Sequence, residues 1–129
     1  MPVLNETPYN GEFLVSEGNG TQSREVVTIL TTGVGTNAVA VGTILGKITA
    51  SGKYKALVTG AGDGSQTPAA ILYNATDAAS ADAPATVIVR SAEVNGAELI
   101  YPAGADAAAK ATINAALATL GILVRPGLV

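Results

Sequence analysis

Small side chains dominate this polypeptide, and they limit the kind of core it can build. Glycine accounts for 15 of its 129 residues, alanine is abundant, aromatics make up 4% and phenylalanine occurs once. Each small side chain buries little area, so at about 25 cal/mol per Å² of apolar surface the core is thin for the length. A thin core points to extra burial from partners, and oligomerisation is the usual source. The length itself fits one domain around one apolar core.

Histidine, cysteine and tryptophan are absent. Imidazole and thiol are the usual groups that titrate near neutrality or attack as soft nucleophiles. Catalysis would fall to carboxylates, lysines or hydroxyls alone, so a protein that holds something together is expected, not an enzyme. Disulfides and thiolate metal sites are excluded, and no catalytic residue, cofactor or metal is expected. The net charge of −3 and a pI near 4.7 argue against nucleic-acid binding. Lys53 and Lys55, the one close basic pair, flank Tyr54 on an expected strand and read as a solvated face. No run approaches the roughly eighteen apolar residues that span a bilayer, so no membrane partner is expected. Residues 1–13 lack the basic and apolar blocks of a signal peptide.

Composition changes near residue 22. Residues 1–22 carry Pro2, Pro8, Asn10-Gly11 and Glu17-Gly18-Asn19-Gly20, with no helical period. A disordered tail is expected to lack large apolar residues, yet Val3, Leu4, Tyr9, Phe13, Leu14 and Val15 lie here. These six are the candidate binding residues of a flexible N-terminal arm (1–22) that a partner would order. Residues 23–129 form the expected folded domain.

That domain reads as mainly β, an α+β unit with one late helix. Strands are expected over 24–30, 43–49, 54–58, 69–73, 86–91 and 122–124, from β-branched content between turn formers. Ala50-Ser51-Gly52 suits a three-residue hairpin loop with a bulge. Asn95-Gly96 predicts a second hairpin with a return strand over 97–101. The helix is expected over 106–120, with Asp106 as N-cap, Ile113, Ala116, Leu117 and Leu120 on one face, Gly121 as left-handed C-terminal cap and Ile122 in contact with Leu117 behind it.

Possible chemical motifs dissolve on inspection. Gly60-Ala61-Gly62-Asp63-Gly64 follows a strand but leads to Gln66-Thr67-Pro68 and another strand. A phosphate-binding loop must open a helix, so a plain glycine turn is the reading. Asp77 and Asp82, and Glu93 and Glu98, lack the oxygen density of a calcium loop and read as solvated turn acids. Serines have no partner base. The sequons at Asn5, Asn19 and Asn74 read as chance without a secretory signal.

Five strings of the domain, in order, resemble one family. They are Ser23-Arg24-Glu25-Val26-Val27-Thr28-Ile29, then Gly42-Thr43-Ile44-Leu45-Gly46-Lys47-Ile48 with Gly52-Lys53-Tyr54. Next come Asp63-Gly64-Ser65-Gln66-Thr67-Pro68-Ala69-Ala70-Ile71-Leu72 and Val87-Ile88-Val89-Arg90-Ser91-Ala92-Glu93-Val94-Asn95. The last is Leu117-Ala118-Thr119-Leu120-Gly121-Ile122-Leu123-Val124-Arg125. The family is the lambda-type bacteriophage head decoration proteins, and the likeness spans residues 22–125. No single string is a catalytic signature; the order of all five carries the resemblance.

The resemblance implies a β-clip-like subunit, made in the bacterial cytoplasm, that sits as a homotrimer on the outer surface of the virion's expanded capsid. There it would cement the head against internal DNA pressure, gripping the major capsid protein through the N-terminal arm. Ordering about twelve arm residues costs about 12–24 kcal/mol. Six apolar side chains return about 9–18, and about six main-chain hydrogen bonds about 1 each. One arm is close to break-even, so three arms on one trimer would decide binding. Two alternatives stand beside this reading: a tail or baseplate adaptor, and a trimeric β-clip nucleotide hydrolase using Asp63 with Arg90.

Overall fold

A computed structural model of the chain describes residues 10–18, 22–30, 38–77 and 81–125. The strands are β1 (Leu14–Glu17), β2 (Arg24–Ile29), β3 (Ala38–Val39), β4 (Ile44–Lys47), β5 (Tyr54–Ala56), β6 (Pro68–Leu72), β7 (Thr76–Asp77), β8 (Ala83–Ile88), β9 (Ala92–Asn95) and β10 (Ile122–Arg125). One helix, α1 (Ala107–Thr119), precedes β10. Among the described residues the fold is thus mainly β, with eight strands of three or more residues and the two-residue pair β3–β7.

Five strands close a barrel in the order β2-β5-β4-β6-β8, and β1-β9-β10 form a separate sheet. Side chains on a strand alternate between its faces. On β4, Ile44 and Leu45 therefore enter different cores, as do Ile71 and its neighbours Ala70 and Leu72 on β6, and Ile88 and Val87 on β8. The inner set, with Ile29, Tyr54, Ala85 and Val89, fills the barrel. A five-stranded barrel has a narrow interior, and Ala70 and Ala85 suit it. The outer set joins Phe13, Ala92, Val94, Ile113, Leu117 and Ile122 under α1 and the three-stranded sheet. Small side chains thus serve two cores that share strands, where composition suggested a single one.

The helix follows its sequence signals. Asp106 Oδ1 accepts from Ala109 N–H at 2.8 Å, Ile113 and Leu117 are buried, and Leu120 packs against the outer core. Gly121, at φ +83°, donates to the Ala118 carbonyl and turns the chain into β10. The 50–52 hairpin is also present, with β4 antiparallel to β5.

Two expectations change. No return strand follows Asn95: Asn95 instead caps a 3₁₀ turn over Gly96–Glu98, its side chain accepting from Ala97 N–H. Both edges of β9 are already taken, by β1 antiparallel and β10 parallel, so a hairpin partner has no edge to join. The strand expected over 86–91 is β8, three residues earlier, because β2 pairs with it from Arg24↔Ile88 to Ile29↔Ala83. It ends before Ser91, whose φ of 52° sits in a region that non-glycine residues avoid. There the chain leaves the barrel for the second sheet.

Gly46 is required by close approach. The 59–67 loop folds back over β4, with Thr49 N–H bonded to the Asp63 carbonyl at 2.9 Å. A Cβ at Gly46 would lie well inside van der Waals contact with the Ser65 backbone. Gly46→Val should therefore lower stability by about 1–3 kcal/mol or more, read as a lower urea midpoint at unchanged slope. A midpoint equal to that of the parent would show that this loop does not sit on β4.

Candidate functional site

The six candidate residues divide. Val3, Leu4 and Tyr9 lie outside the described residues. Phe13 is fully buried in the outer core, Leu14 packs against that core half-buried, and Val15 is 47% exposed. Residues 10–18 are therefore packed into the described fold, through Phe13 in the outer core and β1 against β9. The turn formers at 10–11 and 18–20 bracket a short strand; they do not exclude one. The signal in the sequence was the single Phe next to Leu14 and Val15, a hydrophobic run that a core can hold as well as a partner can.

A dense set of bonds fixes this root. Gly11 donates to the Tyr73 carbonyl at 2.8 Å, Leu14 N–H closes the turn onto the Gly11 carbonyl at 2.9 Å, and Asn95 N–H donates to the Phe13 carbonyl at 2.7 Å. β1 then runs antiparallel to β9, with a register shift between Leu14 and Ser16. At its far end Gly18 N–H donates to Ser23 Oγ at 2.7 Å, and that hydroxyl donates to the Ser91 carbonyl at 2.9 Å. Glu17 and Arg24 form a two-point pair, Nε to Oε2 at 2.9 Å and Nη2 to Oε1 at 2.6 Å. The Arg24 guanidinium lies 4.1 Å from the Tyr73 ring centroid. Its hydrogen bonds hold the Glu17 carboxyl below its ordinary value. This geometry ties Gly18 to Ser23 and Glu17 to Arg24, joining β1 to the start of β2.

The outer face of the sheet carries a polar row. Ser16 Oγ donates to Glu93 Oε2 at 2.8 Å, and Glu93 also pairs with Arg125. Arg125 first, then Ser16, hold the Glu93 carboxyl down. Val15 and Leu123, 47% and 46% exposed, are among the large apolar residues left on the surface. A surface depression of about 270 Å³ is lined by Ser16, Glu17, Gly18, Ser91, Ala92, Glu93, Gly121 and Leu123. Its two carboxylates are both ion-paired, so it offers anchoring rather than acid–base chemistry. Glu98 meets Glu12, and the hydrogen bond and like charge between them push the Glu98 carboxyl up.

Asp63 and Arg90, the pair a hydrolase would need, are engaged separately. Asp63 accepts from Ser65 N–H and Oγ at 3.0 and 2.5 Å and pairs with Lys55 at 3.1 Å, which holds its carboxyl far below the usual range. Arg90 donates to Glu25 at 2.9 Å and to the Gln22 carbonyl at 2.7 Å. The glycine loop is thus a side-chain-closed turn. Lys53 pairs with Asp82 at 2.5 Å, so the two close lysines serve different partners. Among the described residues no group of three or more carboxylates could hold a metal ion, and no helix is long and apolar enough to cross a membrane.

Two expected outcomes follow from this geometry. Phe13→Ala should cost about 3–5 kcal/mol in urea unfolding, whereas Val15→Ala should stay within about 0.5 kcal/mol; equal effects would mean that Phe13 is not in the core. Glu98 takes up its proton more readily in the folded chain, so its contact with Glu12 strengthens as pH falls through the raised value. Once Glu98 is ionised, the like charge beside it opposes folding. Glu98→Gln should raise the melting temperature at pH 7, with a gain that shrinks as pH falls through the raised value and levels off below the ordinary carboxyl value of 4.5. A gain independent of pH would dismiss the pair.

No curated protein matches the chain. The family model for bacteriophage lambda head decoration protein D matches residues 3–122. The match takes in the stretch before residue 22, where the five strings had no counterpart. The clamped root, the ion-paired surface and this match agree, and the chain belongs to the family of bacteriophage lambda head decoration protein D.

Proposed function

We propose that the chain assembles as a homotrimer on the outer surface of the expanded head and stabilises it against internal DNA pressure. Its N-terminal segment would contact the major capsid protein. The family match over residues 3–122 carries this reading, since the family is one of structural phage proteins that decorate the capsid. The β-clip grouping belongs to the same proposal, on the family's account and not on strand order.

The root geometry supports it mechanically. Residues 10–18 offer an anchored root, with Phe13 in the core and β1 in the β1–β9 ladder. With Phe13 and Leu14 committed to the core, the apolar contacts fall to Val3, Leu4 and Tyr9 in residues 1–9, beside Val15 exposed on β1. Three such side chains return about 4.5–9 kcal/mol at most, before the cost of ordering them. One segment would bind weakly. Three on one trimer bind tightly, because the second and third engage at high effective concentration, and main-chain strand addition would contribute without demanding a sequence.

Deletion of residues 2–9 should leave a folded trimer that no longer co-sediments with expanded heads. A shortened protein that binds heads as well as the parent would refute the role of the segment, and a chain monomeric at high concentration would refute the trimer. Deletion through residue 20 is the wrong test, because it also removes Phe13 and β1.

A further inference from the structure

One edge of the barrel is left open. β2 pairs with β8 over its whole length, from Arg24↔Ile88 to Ile29↔Ala83. Among the described residues its other neighbour, β5, meets it at Ile29↔Tyr54 alone, where Leu30 N–H donates to the Tyr54 carbonyl at 2.8 Å. In an antiparallel ladder alternate residues spend both main-chain groups on the partner strand. The Ser23 carbonyl accepts from Val89 N–H at 2.9 Å, so Glu25 and Val27 face β8 in the same way. The main-chain groups of Arg24 and Val26 and the Thr28 N–H then point to the open side. Val26 is also 73% exposed, the highest value among the large apolar side chains of the described residues. A bare strand edge of this kind is a template for another strand.

We infer that this edge of β2 pairs with the same edge of a second copy, antiparallel across a two-fold axis, with Val26 opposite the partner's Val26. The pattern of charges selects the register. With Arg24 on the axis the two guanidinium groups would be opposed, and with Glu25 on the axis the two carboxylates would be. With Val27 on the axis the partner would run onto Ile29, where β5 already pairs. With Val26 on the axis, Arg24 faces Thr28 and Glu25 faces Val27, so no like charges are opposed and the two valines meet on the outer face. Each Val26 N–H then donates to the partner's Val26 carbonyl, and each Thr28 N–H to the partner's Arg24 carbonyl. Arg24 is already held against Tyr73 and paired with Glu17, so its charge is balanced at the contact. Both copies thus present one self-complementary edge. A two-fold contact cannot itself build a trimer; it joins one trimer to the next. The inference goes beyond the decoration reading and does not depend on it.

The test uses the full chain. It has no cysteine, so a single introduced one reports on one pair of positions. In this register the two Cα atoms at position 26 lie about 5.5 Å apart, within disulfide range. Those at position 28, also exposed, lie about 14 Å apart, outside it. Val26→Cys should therefore form a covalent dimer on mild oxidation, and Thr28→Cys should not. Sedimentation of the parent at rising concentration should show the assembled species doubling in mass. Val26→Lys should weaken that step about tenfold or more at an unchanged melting temperature. Crosslinking from 28 as strong as from 26, parent-like doubling of Val26→Lys, or neither doubling nor a Val26→Cys dimer at high concentration overturns the inference and leaves the decoration reading standing. A photo-crosslinker on Val26→Cys that joins only the major capsid protein on decorated heads also overturns it, by showing a different strand on this edge. Doubling of a monomer would refute the trimer and keep the β2 contact. If Val26→Lys loses its fold, the two cysteine variants still decide.

Discussion

The burial of β4, β6 and β8 on both faces is the constraint on which the rest of this structure depends. Each sends alternate side chains into the barrel and into the layer under α1 and the three-stranded sheet, as Leu45 and Ile44 do from adjacent positions. Removing either layer would expose one face of all three strands. The barrel and the β1-β9-β10 sheet are therefore one cooperative unit, although among the described residues no hydrogen-bonded strand ladder joins them. It also explains how a chain with so few large side chains folds: the same strands support two small cores.

The N-terminal strand belongs to that unit. Phe13 is placed in the outer core, and the Glu17–Arg24 clamp and the Ser23 hydroxyl hold the connection from β1 to β2. Ser91 accepts two of these bonds while its own backbone sits at φ 52°. Strain at that residue is offset by the bonds its carbonyl collects, and it lies where the chain passes from barrel to sheet. The buried hydroxyls of Ser23, Thr43, Ser65 and Thr76 all have partners, as burial away from water demands. The polar interior of this protein is spent on closing loops, which suits a structural subunit better than a reaction site.

Elements with strong local signals were legible. The helix between Asp106 and Gly121 needed only its caps and its Ile113–Leu117 face, β2 needed only its β-branched run, and β4 and β5 were marked by the Ala50-Ser51-Gly52 turn between them. The Asn95-Gly96 turn was misleading because a hairpin signal is local, while the free edge it needs is a property of the whole sheet. Phe13 was ambiguous for a similar reason: an apolar residue among turn formers fits a core or a partner equally, and only three-dimensional proximity to Val94 and Ile122 chooses.

The sequence by itself determined the absence of imidazole and thiol chemistry, the mainly β character, the capped late helix and the family likeness, since these depend on residue type and short spacing. Only the tertiary structure decided that one set of strands divides its side chains between two cores, that β1 belongs to the fold, and that β1 and β10 take the two edges of β9. Those outcomes depend on which strands pair and in what register, and pairing between residues far apart in the chain leaves no mark in local composition.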